Sequence, residues 1–294
     1  MTSVTAAEVR GGRSVVASTG NASVYLVAAI CVLVIGLMLF PVVVSFFASI
    51  KPQADASGVP PTYFPHALSI ENYMNVVHFQ AGLRTYLYNS LAVAGLTIVF
   101  CLALSVPAGY GLARFDIPGK EVIFLILIVG LMVPYQALLT PLYLMFAKFG
   151  LSNTHVGLAV VHTTLQLPFS IYLMRHSFEA VPKQLEEAAV IDGCHSWQVL
   201  WKIFIPAVRA GIVTVILFAF IASWNEFIGA LIFMSKETQF TVPIMLVSVR
   251  AGHFGSVDWG ALQAGVIIAI VPCVAIYVLL QKYYVAGFLS GAVK

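Results

Sequence analysis

Long apolar stretches separated by short polar links limit how this chain can fold more than any other feature. A helix needs about 20 residues to cross the roughly 30 Å hydrocarbon core of a bilayer. Six runs reach that length, at about residues 24–49, 86–113, 122–147, 155–177, 210–233 and 261–281. Charged residues make up only 9% of the 294 residues, whereas soluble domains carry about 25%. We therefore predict an all-α, polytopic membrane protein with six transmembrane helices.

Prolines interrupt most of these spans. They are Pro41, Pro107, Pro134, Pro141, Pro168 and Pro272. A proline inside lipid frees a backbone carbonyl, which a neighbouring helix or water must then satisfy. We therefore expect kinked helices that pack on one another.

The basic residues indicate the orientation, because Lys and Arg near span ends are retained in the cytoplasm. With the N-terminus inside, ten of the 15 basic residues fall on the inner side and five on the outer side. The inner residues are Arg10, Arg13, Arg114, Lys120, Arg175, Lys183, Lys202, Arg209, Lys282 and Lys294, and the outer ones are Lys51, Arg84, Lys148, Lys236 and Arg250. We predict that both termini are cytoplasmic, with residues 1–22 as an N-terminal tail. The net charge of +3 then reflects topology and not nucleic-acid binding.

The first apolar run has flanks like those of a secretory signal. Arg10 and Arg13 precede it, and Ala54-Asp55-Ala56 resembles a cleavage site. The apolar region of a signal covers about 7–15 residues, and this run is much longer. We expect an uncleaved membrane anchor.

A polar, helix-forming stretch lies between the fourth and fifth spans. Glu186 and Glu187 begin it, and two alanines that follow are strong helix formers. Gly193 can take the left-handed conformation that ends a helix, and Pro206 cannot continue one. This pattern predicts a short helix, a turn and a second short helix.

The second helix of this hairpin has an apolar face. Val199, Leu200 and Ile203 recur at helical spacing. Such a face needs a partner, which by local chemistry is either the lipid headgroup layer or a docked protein.

The hairpin also carries a family resemblance. The hairpin contains Glu187-Ala188-Ala189, then three residues, Gly193, nine residues and Ile203 to Pro206. This pattern resembles the cytoplasmic EAA loop of the membrane subunits of ABC importers. The resemblance implies a type I ABC importer permease with residues 178–209 as its helical coupling loop. It implies that an ATPase subunit docks here, with coupling roles for Glu187, Ala188, Ala189, Gly193, Ile203 and Pro206.

Two further segments resemble permeases that import carbohydrates. Residues 69–73, Ser-Ile-Glu-Asn-Tyr, lie in the link after the first span, and residues 281–294 resemble the tail of the maltose-type permeases. In that family the tail reaches into the ATPase dimer, whereas a Lys/Tyr interfacial anchor with a frayed end is the alternative for residues 282–294. The resemblances together cover nearly all of the predicted membrane domain, residues 23–294.

Glu226 stands within the predicted fifth span, where an ionised side chain costs about 2.5–3.5 kcal/mol on insertion scales. Its carboxyl either bonds to a neighbouring helix or lines a solute pathway. Ser223-Trp224-Asn225-Glu226-Phe227 resembles the stretch of carbohydrate permeases that approaches the translocation cavity. That resemblance implies sugar contacts from Trp224, Asn225 and Glu226.

Other polar residues inside the spans are further candidates for solute contacts. His162 and Gln166 are four residues apart and share one face of the fourth span. Tyr135 and Gln136 follow Pro134 in the third span. Hydrogen bonds between packed helices explain these residues equally well.

Motifs of catalysis are missing from the sequence. The only Gly-Lys pair, Gly119-Lys120, is not a phosphate-binding loop, because Arg114 stands where Gly is needed and Glu121 where Ser or Thr is needed. The zinc-protease and serine-hydrolase motifs are absent too, and the four cysteines are dispersed. We expect a non-catalytic subunit that binds no metal or cofactor, with ATP and Mg held by a partner ATPase.

The main rival prediction is an ion-coupled secondary transporter that uses Glu226. Six spans without a visible internal repeat, together with the EAA-like hairpin, argue against it. We predict a permease subunit of a bacterial carbohydrate ABC importer in the inner membrane. Its implied partners are a second, different permease, two ATPase chains, an extracytoplasmic binding protein and membrane lipid. The sugar is not specified, although the lack of basic residues in mid-span favours a neutral one.

Overall fold

The computed structural model describes residues 21–58, 62–251 and 257–292. Within those ranges the regular structure is helical, with no strand, which confirms the predicted all-α class. Most of the predicted N-terminal tail and the last two residues lie outside the described ranges. The chain divides into two compact units, Met1–Val44 and Ser45–Lys294.

The described part of the first unit is the larger part of helix α1, residues 21–44. This helix runs from Asn21 to Ser49 and contains Pro41. Its 29 residues extend over about 43 Å, and the mean hydropathy reaches 3.0 within Ser23–Ser49. α1 is therefore long and apolar enough to cross a membrane, and it coincides with the predicted first span.

The second unit continues from the last turn of α1. Its first part comprises α2 (Gln53–Ala56), α3 (Glu71–Val77), α4 (Leu83–Arg114), α5 (Lys120–Gly130), α6 (Tyr135–Lys148) and α7 (His155–Glu179). The hairpin comprises α8 (Lys183–Ile191) and the second hairpin helix, which consists of α9 (Ser196–Val199), a π-helical segment (Leu200–Phe204) and α10 (Ile205–Ala207). The chain ends with α11 (Arg209–Asn225), α12 (Ile228–Phe233), a 3-10 turn (Glu237–Gln239), α13 (Val242–Ala251) and α14 (Trp259–Ala292).

Helices α4, α7 and α11 pack together at the centre of the second unit, and α14 packs against α11. Two glycines let these helices approach closely. A Cβ on Gly109 of α4 would lie 2.6 Å from Cβ of Met174 on α7, and one on Gly211 of α11 would lie 2.1 Å from Oγ of Ser177. Small residues at such contacts are typical of membrane helices, whose packing depends on van der Waals contact.

Three helices of the second unit are long and apolar enough to cross a membrane as single helices. They are α4, α7 and α14 over Trp259–Tyr283, and they coincide with the predicted second, fourth and sixth spans. With α1 they make four candidate spans, or up to six if each of two bent helix pairs is one span. α14 continues as a helix to Ala292, through most of the predicted tail 282–294.

The predicted third span, residues 122–147, is a bent pair of helices. α5 and α6 meet at an angle of 97°. Pro134 precedes α6 in an extended conformation, and a proline disfavours the helical conformation in the residue before it. The expected kink in this span is therefore a full break.

The predicted fifth span, residues 210–233, is wrong as a single helix. α11 ends at Asn225, and Glu226 takes an extended backbone conformation before α12 begins. At its other end, α11 meets the second hairpin helix at 77°, with the turn at Val208. The second hairpin helix ends at Ala207, one residue after the predicted end at Pro206. Pro206 sits at the start of α10 directly after the π-helical segment.

We call the end of the helix bundle that carries residues 178–209 the hairpin end and the other the opposite end. Two asparagines organise the links at the opposite end. Asn89 of α4 donates from Nδ2 to the carbonyls of Thr238 and Phe240, at 2.9 Å each. Asn153 accepts the N–H groups of Ser235 and Lys236 at 2.9 and 3.0 Å. These bonds tie the link after α12 to the ends of the central helices.

Candidate functional site

The turn of the hairpin is formed by Gly193 in the left-handed conformation, with φ of +81°, as predicted. The N–H of Cys194 donates to the carbonyl of Ala189 at 2.9 Å, and the N–H of Gly193 donates to that of Val190 at 3.0 Å. This pair of bonds is the Schellman motif, which satisfies the last carbonyls of a helix. The end of α8 is therefore fixed by the backbone itself.

The predicted apolar face of the second hairpin helix is buried within the protein's own bundle. Val199 and Leu200 are each 1% exposed, and Ile203 packs half-buried beside them. Their buried neighbours include Met174 and Phe178 of α7. Neither lipid headgroups nor a docked protein cover this face, so both predicted partners are wrong for it.

A different set of hairpin side chains is exposed. Ile191, at the end of α8, is 86% exposed, and Trp197 and Trp201 are more than half exposed. The two indole rings lie 5.8 Å apart, edge to face. An exposed apolar group of this kind usually marks an interaction surface.

The predicted coupling residues therefore divide between two sides of the hairpin. Glu187 and Ala188 are exposed on α8, whereas Ala189 is buried in the bundle. Pro206 is exposed on α10. One side of the hairpin is thus fixed to the bundle while the other presents side chains outward.

Arg114, the last residue of α4, connects the hairpin to the bundle. Its side chain is 3% exposed, and Nη1 lies 3.8 Å from Oε2 of Glu186 on α8. Nη2 donates to the backbone carbonyls of Phe178 and Val181, and the guanidinium lies 4.7 Å from the ring centroid of Phe204. This one side chain touches α7, α8 and the second hairpin helix.

Sequence reasoning treated Arg114 only as a basic residue that sets orientation. Arginine at the end of a span serves that purpose whether its side chain faces lipid, water or protein. The local signal is the same in all three cases. Only the positions of Phe178, Val181 and Phe204, distant along the chain, give this residue its contacts.

A second arginine joins α5 to α7. Arg175 donates from Nη2 to Oε1 of Glu121 and from Nε to Oε1 of Glu179, both at 2.7 Å. Its guanidinium also lies 4.1 Å from the ring centroid of Phe124. α5 has no buried residue of its own, and Arg175 joins it to α7 together with the ring of Phe124, which stacks on Tyr172.

The carboxylate of Glu226 accepts four hydrogen bonds. Oε1 accepts from the hydroxyl of Tyr135 and the N–H of Gly229, both at 2.7 Å. Oε2 accepts from Nε2 of His162 at 3.2 Å and from the N–H of Ala230 at 2.9 Å. Two of the donors are backbone groups at the start of α12, where the helix dipole also favours a negative charge. The charge is therefore compensated inside the protein.

His162 extends this cluster to α11. Because an ionised carboxylate can only accept, Nε2 of His162 donates to Glu226, and Nδ1 shares a hydrogen bond of 2.8 Å with the hydroxyl of Ser223. Thr97 of α4 lies 3.4 Å from the same hydroxyl. Four helices and the break in the fifth span thus meet in one buried polar network.

A side chain at Gly229 would crowd this cluster, which no sequence signal indicated. A Cβ at this position would lie 2.4 Å from the hydroxyl of Tyr135 and 2.9 Å from Oε2 of Glu226. The absence of a side chain lets the tyrosine hydroxyl reach the carboxylate.

The other predicted pathway residues do not join the cluster. Trp224 is buried, stacks on Phe220 and donates to the carbonyl of Ala269 at 3.2 Å. Asn225 bonds back to the carbonyl of Ile221 at 2.9 Å, and Gln136 is exposed on the first turn of α6. Gln166 is partly buried, and among the described residues its Nε2 has no hydrogen-bond partner.

The described residues contain no group of three or more His, Cys, Asp or Glu side chains that could hold a metal ion. With both oxygens of Glu226 engaged by two donors each, the geometry does not favour an ion-binding carboxylate. It favours a carboxylate that fixes the break between α11 and α12.

Comparison with known proteins agrees with this architecture. A relative from Bacillus subtilis strain 168, the probable ABC transporter permease protein YurM, is 37% identical over 237 residues, which cover 79% of this chain and 78% of the relative. The sulfoquinovosyl glycerol transport system permease protein SmoH of Agrobacterium fabrum is 34% identical over 268 residues, 91% of this chain and 92% of that protein.

A similar fold occurs in a solved structure. The solved structure is a crystal structure of a bacterial ABC transporter involved in the import of the acidic polysaccharide alginate. The match has a TM-score of 0.78 and 22% sequence identity, and it covers 90% of this chain and 96% of the matched chain. The family described as "Binding-protein-dependent transport system inner membrane component" matches residues 105–288. Because these residues make up well over half of the chain, the protein belongs to the inner membrane components of binding-protein-dependent transport systems, the permeases of ABC importers.

Proposed function

We propose that this permease moves a sugar or oligosaccharide across the inner membrane and is driven by separate ATPase chains that dock on its hairpin. The name of the Agrobacterium relative, a sulfoquinovosyl glycerol transport system permease protein, supports the substrate class. The carbohydrate-permease resemblance of residues 223–227 supports it as well. The excess of basic residues at the hairpin end supports a cytoplasmic location for this end and for both termini.

The observation that carries the coupling role is the two-sided hairpin. Val199, Leu200 and Phe204 fix it to the bundle, while Glu187 and Ile191 point outward. A partner that pulls on the exposed side moves the buried side with it, because packed interfaces shift between discrete arrangements and do not deform continuously. ATP and Mg are bound and used in the partner ATPase, and this chain supplies no catalytic group.

The solute pathway is proposed to pass the opposite half of the bundle, beside the Glu226 cluster. Gln136 and Asn225 carry exposed polar groups next to Tyr135 and Glu226 in sequence. They are placed to contact sugar hydroxyls, while Tyr135, His162 and Glu226 hold the break between α11 and α12 in position. The packing of Trp224 against α14 favours a structural role for its indole.

We propose alternating access as the mechanism. ATP binding closes the ATPase pair, and the hairpin transmits this motion to α7 and α11. The solute pathway then opens to the outside and accepts sugar from a binding protein. ATP can drive this change only because it binds the closed ATPase pair more tightly than the open pair. A second, different permease subunit completes the cavity.

A pull-down of the tagged chain from native membranes tests the assembly. Recovery of an ATPase with a phosphate-binding loop, a second permease and a binding protein is expected, and sugars screened against that binding protein identify the substrate. If the chain is recovered alone and moves solute in liposomes without ATP, the proposal fails.

Substitution of one exposed residue tests the docking surface. Ile191→Glu places a charge where an apolar side chain meets the partner. Burial of such a side chain contributes about 1.5–3 kcal/mol, so we expect at least a tenfold loss of co-purified ATPase. Thr238→Glu adds the same charge to an exposed position at the opposite end of the bundle and serves as the control. Normal ATPase recovery and sugar uptake in Ile191→Glu would exclude this surface.

A further inference from the structure

An apolar cavity of about 320 Å³ opens where the second hairpin helix meets α4 and α11. Its lining residues are all aliphatic, proline or tryptophan. Those that matter here are Leu102, Val106 and Pro107 of α4, Trp197 and Trp201 of the hairpin, and Ile212 of α11. The two indole nitrogens are the only polar side-chain atoms of the lining, so the cavity suits a hydrocarbon group.

The size of the cavity exceeds what a single small ring fills. An apolar cavity of about 150 Å³ in another protein stays free of water and takes up benzene. This cavity is about twice as large and open on one side, so it can take an elongated chain.

The depth of the cavity points to lipid. Pro107 precedes Arg114, the end of α4, by ~10 Å along the helix axis. The lining residues of α4 therefore belong to the apolar part of a candidate span whose mean hydropathy is 2.3. Trp197 and Trp201 form the rim, and tryptophan is enriched at the boundary between hydrocarbon and headgroups.

Two basic residues near the rim residues in sequence match an anionic headgroup. Lys202 follows Trp201, and Arg209 begins α11; both are exposed. In the described part of the chain neither side chain has an acidic group within the 4.0 Å of an ion pair. Basic residues near a membrane surface attract anionic phospholipids.

We propose that this cavity binds one acyl chain of an anionic phospholipid from the leaflet at the hairpin end, with the headgroup held by Lys202 and Arg209. The lipid then contacts α4, α11 and the second hairpin helix together. Its presence stabilises one position of the hairpin relative to the bundle, and this makes the coupling helix sensitive to membrane composition. This inference goes beyond the proposed transport function and does not depend on which solute is carried.

The test is lipid retention by the intact transporter. The complex is reconstituted in nanodiscs with equal amounts of phosphatidylcholine and phosphatidylglycerol, transferred to mild detergent and examined by native mass spectrometry. Ala103→Phe fills the cavity from α4, whereas Leu104→Phe enlarges a neighbouring exposed side chain that does not line it. We expect Ala103→Phe to lose phosphatidylglycerol about tenfold, the effect of excluding roughly two methylenes, and Leu104→Phe to retain it.

The headgroup contact has a separate readout. Lys202→Glu combined with Arg209→Glu is expected to lower retention of phosphatidylglycerol but not of phosphatidylcholine. Equal retention by Ala103→Phe and Leu104→Phe overturns the cavity assignment. A photoreactive residue at position 103 that cross-links to a partner chain, and not to lipid, overturns it as well. Unchanged lipid selectivity in the double charge variant overturns the assignment of an anionic headgroup.

Discussion

The hydroxyl of Tyr135 donates a 2.7 Å hydrogen bond to Oε1 of Glu226 and so joins the break in the third span to the break in the fifth. Tyr135 is the first residue of α6, directly after the 97° bend. Glu226 separates α11 from α12. Any movement of α6 relative to α12 has to carry this bond with it or break it.

Removal of this hydroxyl is expected to weaken the cluster. Tyr135→Phe leaves Oε1 of Glu226 with one donor, and a hydrogen bond to a charged group contributes about 1.5–3 kcal/mol. We expect the free energy of unfolding of the complex to fall by that amount, measured as a lower thermal midpoint in detergent. Tyr143→Phe is the control, because this residue of α6 packs its ring on Phe233 and its hydroxyl has no hydrogen bond among the described residues. Equal midpoints for the two variants would contradict the role of the bond.

Uptake is expected to be independent of the proton gradient. All the donors to Glu226 come from the protein, so the carboxylate has no need to exchange a proton during transport. A protonophore should leave the initial rate of sugar uptake unchanged in proteoliposomes that hold the whole complex and ATP. Loss of uptake with ATP still present would instead support ion coupling through Glu226.

Alanine substitutions at two glycines of α4 are expected to have opposite effects on stability, because only one of the two glycines lies against α7. Gly109→Ala places a Cβ 2.6 Å from Cβ of Met174, and overpacking of this kind costs about 1–3 kcal/mol. Gly95→Ala, also in α4, has no atom within 4 Å of the new Cβ and should stabilise the helix by roughly 0.5–1 kcal/mol. Thermal unfolding of the two variants checks the sign. A stabilising Gly109→Ala would be incompatible with the helix approach described.

Substitution of Arg114 is expected to impair the coupling of ATP hydrolysis to transport more than the insertion of the chain into the membrane. Arg114→Ala leaves the carbonyl of Val181 without its side-chain donor, with a cost of about 1–3 kcal/mol for an unsatisfied group, whereas the carbonyl of Phe178 still accepts the N–H of Val181 at 3.2 Å. We expect fewer sugar molecules imported per ATP hydrolysed, because the hairpin is no longer held to α7. Arg114→Lys keeps the charge but lacks the planar fork that reaches two acceptors, so it should restore the ratio only in part.

A second cationic residue at the hairpin end provides the control for this experiment. Lys183 is exposed at the start of α8, and Lys183→Ala should leave the ratio of transport to hydrolysis unchanged. The same loss in both variants would indicate a general effect of charge and not the contacts of Arg114.

Substitutions at Gly193 test the effect of backbone strain in the absence of side-chain crowding. A Cβ here meets no atom within 4 Å, but φ is +81°, and a left-handed conformation costs a residue with a side chain roughly 1–2 kcal/mol. Gly193→Ala should therefore reduce ATP-coupled uptake, while Gly193→Asn, which tolerates this conformation better, should be milder. Equal uptake by the two variants would show that the turn does not constrain coupling.

Much of the fold was predictable because its signals are local. A run of apolar residues long enough to cross lipid reads as a span whatever surrounds it, and α1, α4, α7 and α14 lie where the runs are. The hairpin was equally visible, since Gly193 and the helix-forming residues before it act within a few positions. Pro206 was informative as well, because the second hairpin helix ends at Ala207, one residue beyond it.

The sequence by itself determined the membrane class, four of the spans, the hairpin and the polar residues of interest, because apolar length and helix propensity are properties of neighbouring residues. Only the tertiary structure decided which side of the hairpin is buried, that Arg114 holds it and that Glu226 is fully bonded while Trp224 faces α14. Each of these depends on groups far apart along the chain, such as Tyr135, His162 and Gly229 around one carboxylate. Their meeting follows from how the helices pack and not from any pattern along a single helix.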